Sequence, residues 1–457
     1  MSNKLYTLLI AFLVPLMIVN GQLVRSEEAQ QKKYLLPLGQ MFAINCGIAA
    51  TNRYIRNVDY AKISFSTIEH NLLNSWVWDD DNFEVNQIGH PYQGKLYYSM
   101  ARHYGHSYIQ GLAFTAIGSI QWEYFMETER PAINDLITTT LGGAMLGEIT
   151  DRVSNQILDD SSTGTIRAIR ETAAFIINPM KAFNRVIDGS MFKVRSNDKS
   201  IFQKKDKIRY EISFEKKMFS NMNSQGFDEL QADSTLIVPF ASYNFSMSYG
   251  DPFKARDPFD HFSLNFGFSF MKDVVANVSA RGLIWKKNLR MKDNTNNAIG
   301  LLQNFDFISS SSHKIAASSF GIEFMSKRTA FSNWEFRSRY QTGLIILGGA
   351  STEYYVEVER DYNLGPGAIV KINLILQNDN FAKISFEVNR FWIRTLSGAE
   401  GVEAIGLGKV EVQKDIYKGF GLATSYVFYD REGFYLAFPD VKVFNHEFRG
   451  MLTYNFY

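Results

Sequence analysis

The chain has 457 residues, enough for two domains, and its 48 Lys and Arg against 47 Asp and Glu leave a net charge of +1. That balance provides no basic footprint for nucleic acid and no long-range field for a strongly charged partner. A single cysteine excludes an internal disulfide, while Phe, Tyr and Trp together make up 14% of the residues, more than an ordinary soluble chain carries.

The first segment reads as an export signal. Lys4 supplies a short positive start, Leu5 to Val19 is apolar, and Val19 and Gly21 suit the small positions before a cut after Gly21. The same segment is short for a retained spanning helix. Residues 22–34 are polar and are expected to be disordered. Residues 35–190 read as a helical domain. Within it Tyr92–Tyr104 and His106–Glu127 have helical periodicity broken at Gly105. A longer helix is expected from Ala132 to Leu158 after Arg130-Pro131, and a shorter one over Thr165–Ile177, stopped by Asn178-Pro179. Gly111, Thr115 and Gly118, and again Gly143 and Gly147, form stripes of small residues that let two helix backbones approach closely. Cys46 is expected to be a buried small hydrophobe. Residues 191–206 are polar and basic, a linker.

From 207 to 457 the pattern changes to alternation. Phe262, Leu264, Phe266, Phe268 and Phe270 share one parity; Ser263, Asn265, Gly267 and Ser269 share the other. Neighbouring side chains of a strand point to opposite faces, so each such segment has one greasy and one wet face. About twelve segments do this, near 207–217, 235–250, 259–272, 274–287, 298–309, 313–327, 332–347, 366–377, 380–395, 403–415, 418–430 and 441–457. Aromatic residues on the greasy face and Asn, Ser, Gly and Thr on the other predict an antiparallel transmembrane β-barrel rather than a soluble sandwich. The fold class is therefore α+β: an N-terminal helical bundle followed by a membrane barrel. Asn378-Asp379-Asn380 is expected to be a tight periplasmic turn, and 288–297 and 348–365 to be longer extracellular loops. Glu335, Arg337, Arg339, Lys371, Glu387 and Arg390 are expected in the lumen. A twelve-strand lumen is too small for the whole helical bundle, which places the helices outside it.

The densest polar constellation lies in the helices. It runs from Trp76-Val77-Trp78-Asp79-Asp80-Asp81 through Asn86 and His90-Pro91-Tyr92-Gln93-Gly94 to Tyr97, Tyr98 and Arg102, then Trp122-Glu123-Tyr124, Glu127, Asn134-Asp135, and Gly142-Gly143 to Gly147-Glu148 and Arg152. With HPYQG, YYSMAR, WEYFME, ND and GGAMLGE in that order, the stretch from Asn71 to Arg152 resembles bacterial domain-of-unknown-function family 3943. The resemblance implies an exported envelope protein with outer-membrane association and supplies no activity. Glu123, Arg130, Asp135, Gly142 and Gly147 also resemble a pattern of VanZ-like helical envelope proteins.

Two readings of these residues stay open. His90, Glu123, Glu127 and Asp135 are the candidate acid/base set, because a His with carboxylates moves protons and Glu123 and Glu127 share a helix face. Arg102 and His90, with Tyr97, Glu148 and Arg152, are the candidates for holding a phosphate or lipid head group. Each residue also has a plain structural role: His90-Pro91 a turn, Asp135 a cap, Glu148 and Arg152 a helix pair. Asp79 to Asp81 lack the spacing of a calcium loop, so no metal site and no cofactor is expected. GxSxG, Walker, HExxH and CxxC motifs do not occur. The sequence favours a non-enzymatic outer-membrane barrel with its helical domain in the periplasm, in a gating or transport role, over an envelope lipid enzyme. Expected partners are outer-membrane lipid, the barrel assembly machinery that reads an aromatic final strand, and a lipid head group or small solute.

Overall fold

The computed structural model describes residues 33–195, 208–222, 239–269, 275–289, 294–309, 314–329, 333–355, 360–378 and 380–456. The expected export signal (1–21), nearly all of the 22–34 segment and most of the expected 191–206 linker lie outside the described residues. The chain divides into two compact units, with the boundary between Asp206 and Lys207.

The first unit is helical: α1 (Leu35–Thr51), α2 (Phe65–Leu73), α3 (His90–His103), α4 (Tyr108–Phe125), α5 (Ile133–Ile137), α6 (Gly143–Ile157), α7 (Gly164–Ile177) and α8 (Pro179–Ile187). Local chemistry sets the ends. Ser107 and Gln110 cap α4 reciprocally, each side chain accepting the other's backbone N–H. Gly105, at φ +78°, turns the chain between α3 and α4. Asn178 caps α8 ahead of Pro179, its side chain accepting from the Lys181 N–H at 3.1 Å. Two helices begin or continue through wide π turns: Val85–Gly89 runs directly into α3, and Thr138–Gly142 joins α5 to α6. No described helix is long and apolar enough to cross a membrane.

Met41, Tyr97, Met100, Ala101, Phe114 and Met180 form the main core of this unit. The small-residue stripes work in two ways. At Gly143 two backbones meet: a Cβ there would lie 2.5 Å from Gly94 Cα. Gly111, Gly118 and Gly147 instead receive aromatic rings, Tyr98 against Gly111 and Gly147 and Tyr97 against Gly118. Cys46 departs from expectation and is exposed. It lies one residue beyond buried Asn45, which places it on the outer side of α1.

The second unit is a closed barrel of twelve antiparallel strands: β1 (Ile208–Met222), β2 (Pro239–Tyr249), β3 (Phe262–Ser269), β4 (Val275–Asn288), β5 (Thr295–Ser309), β6 (Lys314–Thr329), β7 (Glu335–Ser351), β8 (Tyr362–Asn378), β9 (Ala382–Arg394), β10 (Gly401–Tyr417), β11 (Phe420–Tyr435) and β12 (Val441–Phe456). Each strand pairs with the next, and β1 closes on β12 with Tyr210 opposite Phe456, so no edge is left unpaired. One parity faces out. Phe336, Tyr340 and Leu344 on β7, Ile384 and Phe386 on β9, Phe420, Leu422 and Tyr426 on β11, and Phe448, Leu452 and Tyr454 on β12 are all exposed. A continuous exposed belt of aliphatic and aromatic side chains is the outer face of a transmembrane barrel.

Part of the inner parity is buried. Ile315, Ala317, Ile345, Ile369, Phe391, Ile393, Ile405 and Tyr429 pack into one buried apolar cluster. Beside it lie Lys371 with Asp306 at 2.6 Å, and Arg431 with Glu403 at 2.9 Å and Glu353 at 2.8 Å. The connection between β2 and β3 folds inward as well: Phe253 and Ala255 are buried against Leu283, Ala298, Leu302 and Met325.

Two expectations need correction. The segments 288–297 and 348–365 are strand at both ends, leaving connections 289–294 and 352–361. An up-and-down barrel places the β4–β5 and β7–β8 connections at opposite rims, so the two are not on one side. Arg390 shares the outward parity of Ile384 and Phe386 and is not in the lumen. It tolerates that face because it pairs with Asp430 and lies 6.0 Å from the Trp392 ring.

Candidate functional site

A short bridge assembles the site. Val77 pairs with Ala132: the Val77 N–H donates to Pro131 O at 2.9 Å, and the Ile133 N–H donates to Val77 O at 2.8 Å. This fastens the acidic stretch after Trp78 to the start of α5. The Asp79 N–H then donates to Asn134 Oδ1 at 3.1 Å. Asp79 Oδ1 accepts from Asn86 Nδ2 at 3.0 Å and from Asn134 Nδ2 at 2.5 Å. Asn134 Nδ2 also reaches Asp135 Oδ1 at 2.9 Å and Asn86 Oδ1 at 2.8 Å.

His90, at the start of α3, faces this network. Its Nε2 is 3.4 Å from Asp135 Oδ1 and 3.8 Å from Asp81 Oδ2. Glu123, on the last turn of α4, accepts the Ala132 N–H at 2.8 Å, and Glu127 accepts Trp122 Nε1 at 3.0 Å. Asn71 holds the backbone beneath them, donating to Glu127 O at 3.0 Å. All four acid/base candidates therefore lie in one neighbourhood, and the structure adds Asp79 and Asp81 to it. Asp79, His90 and Asp135 each offer one ligand atom, and these atoms all lie within 4.8 Å of one another.

Burial and mutual repulsion set the protonation of this neighbourhood. Burial pushes the Glu123 carboxyl up to about 7, with Asp79 adding to the rise and the Ala132 N–H and His90 opposing it. Burial, then Glu123 and Glu129, hold Glu127 well above the carboxylate range; burial, then Asp79 and Glu123, do the same for Asp135. For His90 burial favours the neutral ring, but Asp81, Glu123 and Asp79 together outweigh it and the net shift is upward.

A pH prediction follows for Glu123. Its folded value is raised from 4.5 to about 7, so its contribution to stability is fully present below about 4.5 and is lost as pH rises through about 7. In EDTA-containing buffer the helical unit is expected to unfold more easily at pH 8 than at pH 5, by on the order of a few kcal/mol, and Glu123→Gln is expected to flatten that slope. Thermal unfolding followed by circular dichroism at both pH values checks it; an unchanged slope in the variant would contradict the assignment.

Of the phosphate candidates, Arg102, Glu148 and Arg152 converge, and His90 and Tyr97 stand apart from them. His90 and Arg102 stand at opposite ends of α3, roughly 18 Å apart at the ordinary helical rise. Tyr97 is buried, accepting Gln93 Nε2 at 2.6 Å and donating to Asn45. Arg102 and Arg152 both bond Glu148, at 2.8 and 2.9 Å, and the Tyr98 hydroxyl donates to the same carboxylate at 2.7 Å. Glu148 thus already takes the two guanidiniums that an anion would need.

A family model described as a domain of unknown function, DUF3943, matches residues 75–180, which span the whole acid–His neighbourhood. No curated protein matches the chain. Among solved structures the chain is similar to the NanC porin (10% identity over 53% of this chain and 98% of the porin, TM-score 0.30). It is also similar to the COG4313 outer membrane channel from Pseudomonas putida F1 (7% identity over 55% of this chain and 95% of the channel, TM-score 0.29). At these values the likeness is confined to a barrel outline.

Proposed function

We propose that this chain, whose helical unit carries a DUF3943 segment, is an outer-membrane barrel protein that gates or moves a small solute through a lumen closed at rest. The barrel's own two faces support this. The outer parity is a largely apolar belt, and the inner parity combines a buried Ile/Phe cluster with ion pairs such as Lys371–Asp306 and Arg431–Glu403. The Lys371–Asp306 pair joins β8 to β5 across the interior and is a movable contact, whereas the apolar cluster is a constriction. The chain enters β1 and leaves β12 at one rim, where Tyr210 faces Phe456. The tight Lys418-Gly419 turn between β10 and β11 lies at that same rim, and short turns mark the periplasmic end of such barrels. Because the linker from the helical unit joins the barrel there, the helices belong on the periplasmic side.

Planar-bilayer recording tests the reading. The wild-type protein is expected to conduct far less than a water-filled pore. Joint replacement of Ile369, Phe391 and Ile393 by alanine is expected to raise conductance several-fold, with heat-resistant folding on gels retained. Wild-type currents of open-pore size would overturn the closed-lumen reading.

The neighbourhood of buried His90, Glu123 and Asp135 with half-buried Glu127 supports a second reading, an envelope enzyme acting on lipid. In that case His90→Ala and Glu123→Gln change the envelope lipid profile while the amount of exported protein stays constant. A fall in protein abundance alone marks the neighbourhood as structural.

A further inference from the structure

We propose that Asp79, His90 and Asp135 bind one divalent first-row transition-metal ion. The ligand atoms of the three residues already lie within 4.8 Å of one another. Metal–ligand bonds of about 2.0–2.2 Å span pairs of ligand atoms up to roughly 4 Å apart, so a small closure brings the set into coordination. Acidic clusters are common without an ion, but the imidazole here is a separate observation. His90 is only 8% exposed, and its buried Nε2 makes no hydrogen bond. It faces Asp135 Oδ1 at 3.4 Å and Asp81 Oδ2 at 3.8 Å without the alignment or distance of one. A buried ring nitrogen without a well-formed hydrogen bond is costly unless another partner engages it.

The surroundings are those of a supported ligand set. Asn86 and Asn134, both fully buried, hold the carboxylates of Asp79 and Asp135 by side-chain N–H donation. Outer-shell donors of this kind fix the orientation of metal-binding carboxylates. The three ligands come from three separate segments, and a π turn adjoins two of them, at Val85–Gly89 before His90 and at Thr138–Gly142 after α5. Such turns often sit at functional sites. Asp81, whose side chain is 39% exposed, lies on the solvent side of His90 and marks where an ion would enter.

The donor set selects the ion. One imidazole with two carboxylates suits Zn²⁺, Mn²⁺ or Fe²⁺; Ca²⁺ and Mg²⁺ prefer all-oxygen cages. This site stands in the helical unit and does not depend on whether the barrel conducts, so bilayer currents and metal binding fail independently.

The full chain, purified in detergent and dialysed against EDTA, is titrated with ZnCl₂ and with MnCl₂ by calorimetry. Saturable binding of one ion per chain is expected, together with a rise in the unfolding temperature of the helical signal. Asp79→Asn, His90→Gln and Asp135→Asn are each expected to weaken binding by about 100-fold or more, while His446→Ala, on the outer face of the barrel, leaves it unchanged. X-ray absorption on the zinc-loaded wild type is expected to show imidazole scattering that His90→Gln removes. The proposal is overturned by a wild type that binds no ion stoichiometrically, by a folded His90→Gln that binds as well as wild type, or by a zinc spectrum without imidazole. The spectrum of the wild type decides the matter even where a variant does not fold.

Discussion

Gly94→Ala is expected to destabilise the helical unit strongly. The added methyl would run into the Thr139 carbonyl, and the next obstacle is Gly143 Cα at 3.0 Å. Both are backbone of the α5–α6 segment, which cannot rotate away as a long side chain can. Gly143→Ala meets the reciprocal obstacle, Gly94 Cα at 2.5 Å and Lys95 N at 2.9 Å. Alanine is intrinsically the better helix former by about 1 kcal/mol, so a surface glycine would gain from this change. Here overpacking wins: relieving the clash means separating α3 from α6, and a loss of about 3 kcal/mol or more is expected in each variant. Chemical unfolding monitored by helical circular dichroism measures it. Gly39→Ala, where a Cβ meets nothing within 4 Å, is the control and is expected to be neutral or slightly stabilising. Equal behaviour of Gly94→Ala and Gly39→Ala would refute the close contact.

Glu148→Ala is expected to cost about 3–5 kcal/mol, the usual penalty for removing one partner of a buried ion pair. The carboxylate is fully buried and receives Arg102, Arg152 and the Tyr98 hydroxyl together. Its loss leaves two half-buried guanidiniums facing each other across a cavity. Glu148→Gln keeps an acceptor for Tyr98 and is expected to recover part of the loss but not the charge balance. Denaturant midpoints for wild type and both variants give the order wild type, Gln, Ala. If the two variants are equally stable, the Tyr98 hydrogen bond contributes nothing.

These two predictions show where local pattern stops being informative. The stripe Gly143–Gly147 is visible in the sequence, yet its two members do different work: one meets a backbone, the other a tyrosine ring. The helices themselves were legible, because capping by Ser107 with Gln110, the Gly105 break and the Asn178-Pro179 stop are local chemistry. So were the strands, since a period of two needs no partner to be read. Arg390 lies on the outer face with Ile384 and Phe386, whose parity it shares; its charge alone suggests the lumen, and the partner that lets it stay outside, Asp430, lies 40 residues away. Cys46 is exposed against expectation because a helix with apolar residues on most sides does not reveal its buried face.

The candidate site divides in the same way. Glu123 and Glu127 share a face by helical spacing, and His90 begins a helix at a proline. Nothing local ties Asp79 to Asp135. They meet because Val77 pairs with Ala132 and because Asn134 binds both carboxylates.

By itself the sequence determined the class of each half, helical and then alternating strand, and the apolar parity of the barrel, because propensity, capping and side-chain alternation act within a few residues. Only the tertiary structure decided that β1 closes on β12, that Ile369, Phe391 and Ile393 pack together on the inner parity, and that Asp79, His90 and Asp135 share one small volume. Those facts depend on contacts between residues far apart in the chain, whose geometry is fixed only when the elements pack.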